Sequence, residues 1–523
     1  MRLVGWLGVP FVRTVKTASG ARAVQIVHSN RGGHRDIEHI GSAHTDADLE
    51  LLKAAARQRI AAGQDELDLG LRPGDSPAAP LPITSVRMAH LWDALALVYD
   101  RLGFSAATGG DEVFRGLVLA RIIEPTSKLD SARVLEEAGQ EAPGYATVKR
   151  RLPLYAQDSW RAQLAGACAA GADDGNGGRG LGPATLVLYD VTTLYFETDE
   201  GDGFREPGFS KERRLEPQVT VGLLTDATGF PLMVNAFEGN AAETTTMLPT
   251  ITAFQQAHGI TGVTVVADAG MVSAGNQAKL EEAGLSFILG ARTPEVPYMV
   301  RRWREQHPGQ EIPDGHVFTQ PWPAGPTDNR RDQVIYYRYL ADRAKRTLHG
   351  IDQQVAKAEA AVAGKVPVKR NRFIRLSGGE KSVNRDLEAK ARALAGIKGY
   401  VTNLTTTPDG TPITAEFVIG AYHRLLQIEK SFRMSKHDLQ ARPIYHHKRE
   451  SIDAHLTIVF AALAVTHHIE HATGWSIRKF VRTARRYRTI EINAGGHTVT
   501  AADPLPDDLR AALDAIRRPA GEH

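Results

Sequence analysis

The chain of 523 residues has a single cysteine, Cys168. A disulfide framework and a cysteine-cluster zinc site are therefore excluded, and a reducing compartment is compatible. Long apolar runs are also missing. Leu456–Val465 falls far short of the roughly 20 residues that a membrane span needs. Met1–Val15 is apolar, but Gly and Pro interrupt it and no small-residue cleavage site follows, so it does not read as a signal peptide. The expectation is a cytoplasmic protein with no membrane partner. No HExxH, Walker-A, GxSxG or CxxC pattern occurs. The chemistries those motifs carry have no support here.

What is present is charge, unevenly placed. The net charge is only +3. Yet Tyr422–Ile490 holds thirteen Lys and Arg against five Asp and Glu, with eight of the 19 His. A local excess of this size fits a polyanionic partner, although a solvated helical face would look similar.

Periodicity divides the chain into segments. Residues 1–63 read as a small β-plus-helix region, with Thr45 as N-cap and Asp48 three residues on. An Asp-, Gly- and Pro-bearing linker follows over 64–86. Residues 87–172 read as helical, and a helix could begin at Pro125. A helix over 146–152 carries Lys149, Arg150 and Arg151, a pattern compatible with DNA docking. After a boundary at 172–183, residues 184–294 alternate as β-β-β-α-β-α-β, a mixed sheet with helical crossovers. Residues 295–397 interrupt that pattern and read as an insertion with a basic loop (Lys365, Lys369, Arg370, Arg372, Arg375). The sheet pattern resumes over 398–437 with a long helix from Ile413 to Met434. Residues 438–523 read as a basic, helical C-terminal tail containing Arg485, Arg486 and Arg488. The fold class is α/β.

Three acidic residues stand out by context. Asp190 sits inside the apolar run Leu186–Tyr195, where a carboxylate is costly to bury unless it is paired or holds a cation. Asp268 ends the strand-like Val263–Ala267, at the strand end where α/β sheets place their sites. Glu429 lies mid-helix. At about 100° per residue, Tyr422, Arg433 and Lys436 fall within roughly 40° of it, and Arg424 points elsewhere. Each acid has an ordinary alternative: a turn former or helix cap for the aspartates, and a surface ion pair for Glu429. Together they form an oxygen-only ligand set suited to Mg²⁺ or Mn²⁺, and two such ions stabilise an in-line phosphoryl displacement.

Three stretches carry a resemblance: Tyr189–Glu197, Val266–Met271 and the helix Tyr422–Lys436. The chain resembles the bacterial insertion-sequence DDE transposases that have a β-rich insertion and a Y-R-E-K signature. Leu425 stands where that signature has arginine. The resemblance implies an RNase H-like core split by the insertion, with 184–294 and 398–437 as its two parts and Asp190, Asp268 and Glu429 as catalytic residues. It further implies two Mg²⁺ or Mn²⁺ ions held by those three acids. It implies DNA contacts by Tyr422, Lys436 and Arg433, terminal inverted repeats and target DNA as partners, a homodimer on DNA, and association with the nucleoid. Two other readings share these residues: a metal-dependent nuclease that does not join DNA, and an inactive DNA-binding descendant of a transposase.

Overall fold

The computed structural model describes residues 8–16, 21–29, 35–43, 45–62, 82–171, 185–198, 200–208, 216–258, 263–271, 274–325, 331–367, 371–377, 380–407, 410–442, 444, 446–494 and 497–518. The expected linker lies largely outside them, and so do the boundary at 172–183 and Lys369 and Arg370 of the basic loop. The chain forms two compact units, Met1–Ser85 with Ile490–Ala501 and Val86–Thr489 with Ala502–His523.

In the first unit β1 (Gly8–Lys16), β2 (Arg22–Ser29) and β3 (Arg35–Ala43) form an antiparallel meander. Helix α1 (Asp46–Ala62) lies on it, burying Leu49 and Ala56 against Val24 and Ile26. Thr45 starts this helix as expected: its hydroxyl accepts from Asp48 N at 3.2 Å. Strand β4 (Ile83–Arg87) closes the N-terminal part.

The second unit opens with α2 (Ala89–Arg101), α3 (Phe104–Ala107), α4 (Glu112–Ile123), α5 (Ser131–Glu137), α6 (Tyr145–Tyr155) and α7 (Asp158–Gly171). Asp111 caps α4 by accepting from Phe114 N at 2.9 Å. No helix begins at Pro125. Glu124 ends α4 in extended backbone, and the next helix begins only at Ser131, after a turn at 128–130. The sheet follows: β5 (Leu186–Tyr195), β6 (Gln218–Asp226), β7 (Pro231–Glu238), α8 (Glu243–His258), β8 (Thr264–Ala267), α9 (Ala274–Glu282) and β9 (Ser286–Ala291). This is the predicted β-β-β-α-β-α-β order. Strands β5, β6 and β7 are antiparallel neighbours, and β5, β8 and β9 run parallel in the order β9-β8-β5-β6-β7. That arrangement is RNase H-like.

The insertion does not stand apart from the sheet. After α10 (Tyr298–Gln306), β10 (Val317–Trp322) and β11 (Gln333–Tyr339) extend it. Next come α11 (Ala341–Val362), β12 (Ile374–Ser377), β13 (Glu380–Val383) and α12 (Arg385–Ala393), which share a small core of Ile351, Val355, Ala358 and Phe373. Strand β14 (Ile397–Thr402) then enters between β11 and β9, antiparallel to both. The result is one eight-stranded sheet. The buried sides of Ile335, Tyr336 and Tyr337 explain why β11 belongs to it.

The long helix expected over Ile413–Met434 is two helices and a wider turn. α13 (Ala415–His423) ends at Arg424, α14 (Leu425–Arg433) begins there, and Met434–Asp438 winds as a π-helix, with Leu439 N bonded to Met434 O at 2.9 Å. The expected basic tail is also corrected. Helix α15 (Arg449–Thr473) packs against α2, α4, α6, α7 and β7. It is long and apolar enough to cross a membrane by length and composition, but 83% of that window is buried inside the protein. A helix that is apolar all round belongs in a core. After α15 come α16 (Ile477–Ala484), β15 (Thr489–Ala494), β16 (His497–Ala502) and α17 (Asp507–Arg517). Strand β15 pairs with β4 and β16 in the first unit.

A buried basic cluster ties the loop before α5 to α15. Lys128 Nζ lies 2.6 Å from His446 Nε2 and 3.4 Å from His455 Nδ1, and His455 Nε2 donates to Ala441 O at 3.1 Å. Burial, with Lys128 and Arg121 nearby, pushes His446 down to about 4 and His455 well below its usual value.

Two outcomes follow from this packing. Leu463 is 1% exposed on α15, so Leu463→Ala should cost about 2–5 kcal/mol in denaturant unfolding, whereas a tail outside the core would tolerate it. The unfolded chain protonates His446 and His455 near pH 6.5, and the folded chain does so only at lower pH. The contribution of these two histidines to stability is therefore fully present above about 6.5 and is lost as the pH drops toward 4. The His446→Gln, His455→Gln double variant should show a flatter melting temperature across that range.

Candidate active site

Strand register brings the first two acids together. Parallel β5 and β8 pair Tyr189 with Ala267, so the next residues, Asp190 and Asp268, are neighbours on one face of the sheet. In the same row Ala267 pairs with Leu289 of β9, which sets Gly290 beside Asp268, and Gly290 pairs with Tyr400 of β14. The row thus runs Asp190, Asp268, Gly290, Tyr400.

Glu429 reaches this row because α14 packs on β5. Leu425, Ile428, Ser431 and Phe432 form its buried side. Ser431 Oγ donates to Gly229 O at 2.7 Å, in the β6–β7 turn. The sequence marks that turn as a hairpin, and Asp226 organises it by accepting from Thr228 N and Phe230 N at 2.8 and 3.0 Å. Gly229 has φ +91°, and a Cβ there would meet Gln427 O at 2.9 Å. Glycine is needed on both counts.

Asp190, Asp268, Glu429, Tyr422, His423, Leu425, Leu426 and Lys398 line one cavity of about 240 Å³. The Tyr422 hydroxyl donates to Asp268 Oδ1. Its ring meets Tyr400 edge-on at 4.9 Å, and Lys398 Nζ lies 4.2 Å from the ring centroid. Burial and the bond to the Asp268 carboxylate both push the Tyr422 hydroxyl pKa up, so it stays a proton donor. Burial lowers the Lys398 pKa, while the Asp268 and Glu429 carboxylates act the other way. Gly290 makes the contact possible, because a Cβ there would lie 2.9 Å from both Tyr422 Oη and Ala269 N. Arg292 holds the backbone just after Asp268, donating to Ala269 O and Gly270 O at 3.2 Å each.

Lys398 is the member of this site that sequence reasoning missed. Its signal was a lysine within the strand Ile397–Thr402, which is otherwise largely buried. The face predicted from the helical wheel does not survive beyond Glu429. Tyr422 lines the cavity. Lys436 instead lines an adjoining cavity of about 450 Å³ with Thr192, Glu243 and Gly270. Arg433 opens on a third, with Lys430, His471 and Trp475. The π-helical winding after Arg433 displaces Lys436 from the ideal wheel, whereas Arg433 shares the regular helix α14 with Glu429 and lies one turn further along it. Arg424 is exposed and does not line the cavity, as expected.

The outlying basic residues divide as well. Lys149 and Arg150 are exposed on α6, with Lys149 over the Tyr145 ring. Arg151 pairs with Asp111 at 3.3 Å. Arg485 pairs with Glu124 at 2.7 Å and Glu137 at 2.9 Å, and Arg488 donates to Glu137 O at 2.9 Å. Arg486 is exposed. Arg485 and Arg488 therefore fasten α16 and its end to the helical layer instead of presenting their charge outward.

The model of the transposase DDE domain matches residues 182–465, a span that contains all three acids and the whole cavity. The chain belongs to the DDE transposase family. No curated protein matches it. A solved structure described as a piggyBac transposase synaptic complex with hairpin DNA aligns over 76% of this chain and 70% of that chain, at 10% identity and a TM-score of 0.36. That likeness is slight, and nothing below depends on it.

Among the described residues, no group of three His, Cys, Asp or Glu side chains is close enough to form a ready metal cage. Asp190, Asp268 and Glu429 instead line a shared cavity, with Tyr422 bonded to Asp268. As a donor set they are carboxylate oxygens throughout, which fits Mg²⁺ or Mn²⁺ and disfavours softer metals.

The contact at Gly290 can be tested by unfolding. Tyr422→Phe should cost about 1 kcal/mol through the lost hydrogen bond, and Gly290→Ala about 1–3 kcal/mol through overpacking. The double variant should lose less than the sum, because Phe removes one of the three atoms that the new methyl meets.

Proposed function

We propose that this transposase cleaves the ends of a mobile DNA element and joins them to target DNA. The observation that carries this reading is the convergence of Asp190, Asp268 and Glu429 on one cavity from two parallel strands and a helix far along the chain. Asp190, Asp268 and Glu429 would hold two Mg²⁺ or Mn²⁺ ions. When bound, those ions supply Lewis acidity to both the attacking and the leaving oxygen of an in-line displacement. The chain's own part is positional. The β5–β8 register fixes the two aspartates side by side. Tyr422 orients the Asp268 carboxylate by donating to one of its oxygens. Ser431 holds α14 against the sheet so that Glu429 faces the same space. The attacking group is first water, giving a free 3′-OH at the element end, and then that 3′-OH on target DNA.

Terminal inverted repeats and target DNA are the partners in this reading. Pairing of two ends makes a homodimer on DNA the working assembly. Exposed Lys149, Arg150 and Arg486 are available for phosphate contacts, and Lys436 lies beside the cavity for strand contacts near the reacting bond. Arg433, one turn beyond Glu429 on α14, opens on a separate cavity and serves DNA outside the reacting site. Location at the nucleoid follows from the DNA partner.

The test uses DNA from the ends of the host element, recognised by inverted repeats flanking the gene. Asp190→Asn, Asp268→Asn and Glu429→Gln should each abolish Mg²⁺-dependent end cleavage, by at least about 10³-fold, with melting behaviour and DNA binding retained. Any of the three that keeps near-normal cleavage is not a ligand. A joining assay on pre-cleaved ends separates transposition from a nuclease activity without strand transfer. Failure of the wild type to nick such ends would favour a DNA-binding descendant.

A further inference from the structure

The carboxylate cavity contains one cation of its own, which neither the signature nor the family assignment explains. Lys398 projects from β14, a strand that enters the sheet only because the insertion threads back between β11 and β9. It lines the cavity with all three acids. Its Nζ sits 4.2 Å from the Tyr422 ring centroid and 5.7 Å from that of Tyr400. Two aromatic faces thus hold the ammonium at the cavity wall, a geometry favourable for a half-buried cation. Asp268 and Glu429 are the carboxylates whose charge acts on it. Arg343 is also near enough to repel it. The cavity therefore holds three carboxylates and one fixed ammonium, and the tyrosine that carries this ammonium on its face also bonds Asp268.

We propose that Lys398 is a positioning residue of the transposase site, acting on Asp268 and Glu429 through its charge. It holds the two carboxylates toward the cavity in the metal-free protein and competes there with the divalent ions. The inference rests on the functional reading above, because it assumes that these acids are the ligands. Three like charges facing one cavity repel one another. A resident cation lowers that repulsion until the ions arrive, and it weakens their binding by the same electrostatic effect. A purely structural lysine, held only by its aromatic neighbours, would leave ion affinity unchanged.

The experiment measures Mn²⁺ binding to the full-length, DNA-free protein by calorimetry, in the wild type, Lys398→Met, Lys398→Arg and Asp268→Asn. Lys398→Met keeps the stem and removes the charge. It should bind Mn²⁺ at least about tenfold more tightly than the wild type, because a unit charge several ångströms from a divalent ion repels it by more than the equivalent of tenfold even at an effective dielectric constant of about 20. Lys398→Arg, which keeps the charge, should stay within about twofold of the wild type. Melting curves check that each variant is folded. If Lys398→Met does not fold, Lys398→Gln takes its place with the same expectation. Unchanged or weaker Mn²⁺ binding in the folded charge-free variant overturns the proposal and leaves the functional reading standing. If wild type and Asp268→Asn bind Mn²⁺ equally weakly, the acids are not ligands, and both readings fall.

Discussion

Bringing three carboxylates to one cavity is electrostatically unfavourable, and much of the molecule is arranged around that constraint. The two aspartates need no special device, since parallel pairing of β5 and β8 sets consecutive residues in register. Glu429 is different. It arrives on a helix, and only contacts made elsewhere keep that helix against the sheet. Ser431 bonds the β6–β7 turn, Gln427 packs over Gly229, and a buried apolar side lies on β5. None of these contacts involves a carboxylate, so the stabilising interactions lie one layer away from the charges they hold in place.

The row of residues across the sheet shows how a neutral donor enters such a site. Gly290 lies between Asp268 and Tyr400. The missing side chain lets the Tyr422 hydroxyl pass over the strand to Asp268, while Tyr400 supports the Tyr422 ring. Strand β14 supplies both Tyr400 and Lys398, so the strand that follows the insertion forms one wall of the cavity. The insertion thus connects to the site by extending the same sheet, with β10 and β11 outside β14. Lengthening the sheet buries the edge of β9, which would otherwise expose unpaired backbone groups.

Basic residues illustrate how weakly charge alone predicts a binding surface. Arg485 and Arg488 lie in the most basic stretch of the chain, yet both are engaged with Glu124 and Glu137 or their backbone. Glu124 and Glu137 lie hundreds of residues earlier, so no local pattern could reveal the pairing. Arg133 belongs to the same network, bonded to Glu124, Asp130 and Glu137. The network fastens the α16 end to the helical layer.

The sequence by itself determined the elements with local causes. The Thr45 cap, the Asp226–Gly229 turn and the β-β-β-α-β-α-β order all follow from short-range hydrogen bonding, turn chemistry and side-chain periodicity. It also singled out Asp190 and Asp268, because a carboxylate in an apolar strand or at a strand end stands out without any fold, whereas mid-helix Glu429 drew attention only through the residues sharing its helix face and through the resemblance. Tertiary structure alone decided the rest. A helical wheel assumes one unbroken winding, and the π turn after Arg433 carries Lys436 to a separate cavity, while Arg433, one turn past Glu429 on α14, opens on another. The burial of α15 depends on other elements packing around it, from α2 and α4 near the start of its unit to β7 in the sheet and α17 near the end of the chain. The presence of Lys398 among the acids depends on β14 pairing with β9 across more than a hundred residues of insertion. Such pairings are non-local, and their energy comes from surfaces that do not exist until the sheet has formed.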